Sequence, residues 1–315
     1  METFVGIDVG KKTLEIRISS ENQSYSIKNT EADCTKEAIK LQKLGVALVV
    51  MESTGGYELI MADALWNEGI NLAIVNPHLC KSFADAKGRK AKTDPIDARI
   101  ICEFAQALTP KVTNKPSDSQ RELYAAVQRR TQLVETVVIE KTRRETARSL
   151  KSKDSIGKVI SFLETEIKSL DKQIADIIDK CEEYKEKQAK LLSIKGIGKV
   201  TAAILLCFLP ELGTIGKKQI ASLAGLAPFN NDSGQFHGKR FIRGGRNKVR
   251  MALYMAVLSS IRSNGWLRSK YQHLLANKKE KKVAIIACMR SLIVKINAML
   301  ASGQPWIEPL GADAS

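Results

Sequence analysis

Histidine, aromatic rings and paired cysteines are scarce in this chain of 315 residues, and each scarcity removes a class of function. The six cysteines, Cys34, Cys80, Cys102, Cys181, Cys207 and Cys288, are scattered without a CxxC pair, and the histidines are His78, His237 and His273. That distribution argues against a zinc site and against a disulfide framework, leaving reduced, buried thiols. Aromatic residues make up only 5% of the chain, so a stacking platform for single strands is not expected. No apolar run approaches the ~20 residues of a membrane span, and METFVGIDVG enters a strand-like pattern without a signal peptide. A cytosolic protein with no membrane partner is expected.

Acidic residues are also in deficit. Against 34 Asp and Glu stand 50 Lys and Arg, a formal charge of +16, which suits a polyanion whose counterions are released on binding. A nucleic acid fits best; a basic chain with solvated lysines is the plainer reading. With 44% hydrophobic residues, the chain can fill the cores of two domains.

The first third alternates strand and helix. TFVGIDVG, LEIRISS and QSYSIKN read as three short strands of an antiparallel meander, followed by helix TKEAIKLQKLG, buried strand ALVVMES, helix GYELIMADALWNEG and strand NLAIVNP. Helices between the later strands imply parallel crossovers, so the sheet is mixed. After Pro110, Ser117 can cap a long helix from about Asp118 to Leu150. A second long helix repeats Leu163, Ile167, Leu170, Ile174, Ile177, Cys181 and Tyr184 at coiled-coil spacing. The two fit an antiparallel hairpin, a dimer interface or both. The final third reads mainly helical, and its SIKGIGKVTA turn, with Lys195, Gly196, Gly198 and Lys199, can present backbone N–H groups to phosphate or simply cap a helix.

Four carboxylates stand out. Asp8 ends the first strand and Glu52 the fourth; if these strands pair, the two acids converge at the carboxyl ends, where open α/β sheets bind ligands. In KTDPIDAR, Asp94 and Asp97 share one helical face, directly after the basic run Lys87, Arg89, Lys90 and Lys92. Taken alone this is an ordinary acidic helix start. Four clustered carboxylates need cations, and hard oxygen donors select Mg²⁺ or Mn²⁺, which as a pair about 4 Å apart stabilise attacking and leaving oxygens.

GIDVGKKTLE, VVMESTGGY, KTDPIDARI, SIKGIGKVTAA, LAGLAPFNNDSGQFHGKRFIRGGR and VRMALYM, in this order, resemble the IS one-ten family of insertion-sequence transposases, also called DEDD transposases and related to the Piv invertases. The resemblance spans nearly the whole chain. It implies fold class α/β plus α, with a RuvC-like, RNase H-type mixed-sheet domain at 1–110, a coiled-coil arm at 117–190, a mainly helical transposase domain at 191–309 and a tail at 310–315. Asp8, Glu52, Asp94 and Asp97 match the family's metal-binding set, and Ser233 its serine nucleophile, although NDSG by itself reads as a turn. Lys239, Arg240, Arg243, Arg246, Lys248 and Arg250 then supply donors to a phosphate, where the plainer reading is a solvated basic face. The resemblance further implies a bridge RNA that pairs with donor and target DNA; the scarcity of aromatics favours its recognition through shape and phosphate, the coiled-coil spacing favours a homodimer or homotetramer joined by the arm, and a nucleoid-associated location is expected. The serine and the acids are separated by the arm, so they are expected to meet between protomers. Three competing readings are a Holliday-junction-resolvase-type nuclease needing only the acids, an actin or sugar-kinase-type phosphotransferase suggested by FVGIDVGKKT, and a non-catalytic nucleic-acid-binding protein. The phosphotransferase lacks its second Asp-Gly loop and adenosine site here.

Overall fold

The computed structural model describes residues 2–21, 23–88, 94–229, 232–233, 236–237, 240–263 and 265–308, with backbone alone for Asp94, Asp232, Ser233, Phe236 and His237. The chain forms two compact units, Met1–Pro116 and Ser117–Ser315.

In the first unit, β1 (Phe4–Val9), β2 (Thr13–Ile18) and β3 (Tyr25–Lys28) form the expected meander. Then come α1 (Glu31–Lys43), β4 (Leu48–Glu52), α2 (Leu59–Asn67), β5 (Leu72–Val75), α3 (Pro77–Ala86) and α4 (Asp94–Leu108). The sheet order is β3-β2-β1-β4-β5, with β4 parallel to both β1 and β5. Strand alternation sorts its side chains into two layers. Val5, Ile7, Leu14, Ile16, Val49 and Met51 pack with residues of α1 and α2. Leu48, Val50, Ala73 and Val75 pack on the opposite face with Cys80 of α3 and with Ile101, Phe104 and Ala105 of α4. The segment after α4 is tied to the sheet edge: Thr113 N donates to Leu72 O at 2.7 Å, and Trp66 Nε1 to Thr113 O at 3.0 Å.

The second unit begins with α5 (Asp118–Thr146) and α6 (Leu150–Lys180). These pack antiparallel, through Leu133, Val137, Ile160 and Leu163 in the seam and Arg130–Asp171 and Lys141–Glu164 ion pairs beside it. Two boundaries differ from the sequence expectation. The first helix stops at Ala147, whose ψ of 130° is extended, instead of running to Leu150, and the second starts at Leu150. The apolar spacing also outlasts its helix: Cys181 is extended, and Tyr184 belongs to α7 (Glu182–Leu192).

The rest comprises α8 (Lys199–Phe208), α9 (Lys217–Leu223), four two-residue strands β6 (Pro228–Phe229), β7 (Asp232–Ser233), β8 (Phe236–His237) and β9 (Phe241–Ile242), then α10 (Asn247–Arg262), α11 (Trp266–Ala276) and α12 (Lys281–Ser302). One core joins Leu123, Val127 and Ile178 at the root of the hairpin to Leu205, Leu253, Leu292 and Ile296 of the later helices. Contrary to the sequence expectation, α12 is long and apolar enough to cross a membrane. Its apolar residues Ile285, Met289, Leu292, Ile293 and Ile296 are instead spent on this core.

Candidate active site

Two strands and one helix build an acidic end on the first unit. β1 and β4 pair in parallel with Gly6 beside Val50 and Ile7 beside Met51. The next step of that register sets Asp8 beside Glu52, on one face and a strand spacing of about 4.8 Å apart. This is the face that α4 covers. A Cβ on Gly6 would lie 2.2 Å from the Cys102 nitrogen and 2.5 Å from the Ala98 oxygen, so only glycine admits the helix backbone here. Cys102 Sγ reaches Phe4 O at 3.6 Å. Passing from Phe4 to Gly6 along the strand therefore passes from Cys102 toward Ala98 along the helix. Two further strand residues advance about 6.7 Å and one helical turn about 5.4 Å, which brings Asp8 to the turn holding Asp94 and Asp97. The strand register thus sets Asp8 and Glu52 at one end of the sheet, and the α4 contact directs the first turn of that helix, with Asp97, toward the same end.

Asp8, Glu52 and Asp97 are each half-buried. Their oxygens are hard donors of the kind Mg²⁺ or Mn²⁺ takes, so the donor chemistry fits such a cation. Among the described residues, no group of three His, Cys, Asp or Glu side chains stands close enough to form a complete metal site. The Asp94 side chain lies outside that description.

Three neighbours of the acids escape sequence reasoning. Glu15 pairs with Asp8 across the β1–β2 ladder and so presents a fifth carboxylate to the same face; the alternation in TLEIRI is the signal that would have found it. Buried Glu58 accepts hydrogen bonds from Thr54 N, Thr54 Oγ1 and Gly56 N at 3.1, 3.1 and 2.8 Å, fixing the loop that leaves Glu52. Buried Asn29 donates to Gly10 O at 3.1 Å and Tyr57 O at 2.9 Å, tying the loops beyond Asp8 and Glu52 together. No local motif announces either. Cys80 of α3 lies against Glu52: burial, then the Glu52 charge and hydrogen bond, push its thiol up to about 12.

The basic residues divide. Lys87 pairs with Glu103 at 2.7 Å, while Arg89, Lys90 and Lys92 lie outside the described residues. In the second unit, Lys195 pairs with Glu308 at 3.8 Å. Gly196 packs on α10, where a Cβ would meet Ser260 Oγ at 2.0 Å and Ala256 O at 2.7 Å, so packing alone accounts for this glycine. Gly198 caps α8 in open space, and Lys199 lines a cavity with Arg130, Asp171 and Asp179. Arg246 binds both carboxylate oxygens of Glu211, and also donates to Phe208 O at 3.2 Å. Lys248 sits over the Phe208 ring at 4.6 Å, and Arg250 donates to Gly244 O at 2.6 Å. These three hold the fold around the serine segment. Arg240 and Arg243 are exposed; Lys239 lies outside the described residues. Gly245, at φ 67°, passes Gly225 so closely that a Cβ would meet its nitrogen at 2.2 Å; here the close approach is of the chain to itself. Ser233 is placed in β7, paired with Phe236 of β8.

A family profile for IS110 DEDD transposases, described as "Transposase", matches residues 5–148, and one described as "Transposase IS116/IS110/IS902 family" matches residues 188–272. The pilin gene-inverting proteins of Moraxella lacunata and Moraxella bovis are each 28% identical over 97% of this chain and 98% of their own length. A 43.6 kDa protein of insertion element IS110 from Streptomyces coelicolor is 32% identical over 36% of this chain and 28% of its own. T. thermophilus RuvC, solved in complex with Holliday junction substrate, matches 36% of this chain and 100% of its own at 14% identity, with a TM-score of 0.29, too slight a likeness to argue from. With profiles of one family matching both ends in order, and full-length relatives between, the chain belongs to the IS110 family of transposases.

Proposed function

We propose that this transposase cuts and rejoins DNA by phosphoryl transfer at Ser233, assisted by a divalent-metal centre on Asp8, Glu52, Asp94 and Asp97. The observation that carries the proposal is the register of Asp8 beside Glu52 on the face where Gly6 seats α4. The strand order supports reading the first unit as RNase H-type, and the Moraxella relatives, named for inverting a pilin gene, support DNA rearrangement. Bound Mg²⁺ or Mn²⁺ would supply Lewis-acid stabilisation of charge on phosphate oxygens. The four carboxylates would hold it, with Glu58 and Asn29 keeping the loops behind Asp8 and Glu52 in place. The serine Oγ gives up its proton and attacks the scissile phosphorus; the sugar oxygen leaves and takes a proton, and the strand remains joined through a phosphoserine bond. A hydroxyl from another strand reverses the exchange and frees the serine. The net charge of +16 supports donor DNA, target DNA and a bridge RNA as partners.

The test is to purify the protein with its bound nucleic acid, sequence that RNA, and incubate the complex with matching DNA and Mg²⁺. A covalent protein–DNA adduct is expected, absent in Ser233→Ala and strongly reduced in Asp8→Asn. Full strand cleavage by Ser233→Ala would instead support a resolvase-type nuclease that uses the acids alone.

A further inference from the structure

We propose that Phe229, Phe241 and Arg243 form a platform on which an unpaired nucleobase stacks, next along the chain to Ser233. This deepens the function proposed above, on which it rests, by naming the state of nucleic acid that the second unit takes. In the ribbon of β6 and β9, Phe229 stands directly opposite Phe241 and Pro228 opposite Ile242. Directly opposed residues share a face, so both rings stand on the same side of the ribbon. Arg243 follows Phe241 by two and returns to the same face. Its guanidinium carbon lies 4.6 Å from the Phe229 ring centre and 6.0 Å from that of Phe241.

On the other face of the ribbon Pro228 is exposed, and Ile242 is the residue that meets the fold. Ile242 packs against the core of the second unit, and the Gly225–Gly245 crossing fixes the base of the ribbon. On the aromatic face Phe229 is 37% and Phe241 48% exposed, and among the described residues only Arg243 is recorded against the two rings. Arg243 makes no hydrogen bond or ion pair among the described residues, whereas Arg246 and Arg250 nearby are both tied to the fold. Two flat rings and a planar cation, held on a fixed backbone and turned to solvent, suit the face of a base; a paired base, stacked on both sides, has no face to give. Aromatic residues are 5% of this chain, and two of them are brought to one face here by strand pairing, which composition could not reveal.

The experiment uses the full chain in EDTA, with a short oligodeoxythymidine carrying one central 2-aminopurine as probe, single-stranded and as a duplex. Binding of the single strand should change the 2-aminopurine fluorescence as the base stacks. The double variant Phe229→Leu/Phe241→Leu should lose that change and bind the single strand roughly 5- to 100-fold more weakly. Duplex affinity, carried by phosphate contacts, should hold. Phe229→Trp/Phe241→Trp should keep both the signal and the affinity. The proposal is overturned if the Leu variant binds and signals like the parent, if single-strand and duplex affinity fall together, or if the parent ignores the single strand. It is equally overturned if the Leu variant crosslinks less as an oligomer while binding the single strand normally, since the rings would then serve a second copy. Because no metal is present, these outcomes are separate from the Ser233-dependent adduct, on which the proposed chemistry stands or falls.

Discussion

At the scale of residues, Gly6 has the largest consequence for the site. It has no motif of its own, yet its missing Cβ is what lets Ala98 and Cys102 touch the first strand. Gly6→Ala is expected to destabilise the protein by about 1–3 kcal/mol or more, because the neighbours are backbone atoms that cannot step aside. It should also abolish the Ser233 adduct by displacing the helix that bears Asp94 and Asp97. Urea unfolding and adduct formation measure the two effects, and a variant with the parent's midpoint would deny the close packing. The strand-end positions of Asp8 and Glu52 and the shared helical face of Asp94 and Asp97 were legible in the sequence; their pairing in space rests on the β1–β4 register and the Gly6–α4 contact. Glu58 and Asn29 were not legible, because their partners are backbone groups of loops that fold places beside them.

At the scale of elements, periodicity told most where segments are long. The strands of the first unit and the long helices follow from alternation and from spacings of three and four. The break at Ala147 did not, since Ala147-Arg148-Ser149 holds neither proline nor glycine, and the turn is imposed by the seam closing on either side. Strands of two residues have no period to read, so β6 to β9 were folded into an expectation of helix. The seam invites its own test. Leu163 packs with Leu133, Val137 and Ile160, and Leu163→Ala should cost about 2–5 kcal/mol. Hydrogen exchange should show that cost in the amides of α5 and α6 first, leaving β1 and β4 protected; uniform loss across the chain would mean that the hairpin does not open by itself.

At the scale of the whole molecule, the carboxylates and the serine belong to two separately compact units. If an active site takes its acids from one protomer and its serine from another, Asp97→Ala and Ser233→Ala subunits, each inactive alone, should regain partial adduct formation when mixed. Absence of rescue at every mixing ratio would place both sets of groups in one chain. The sequence suggests both sets as candidates but not this choice, because residue spacing does not say which protomer supplies each set. One contact also governs how the first unit comes into being. Positions 6 and 98 lie 92 apart, so β1 waits for α4, the last described helix of its unit. Closing so long a loop slows folding, since the entropy is lost before the contact repays it. A chain stalled short of Leu108 would hold Asp8 and Glu52 with the β1 face that α4 covers left bare, so under the proposed mechanism these acids could not work with Asp94 and Asp97 until that helix had been made.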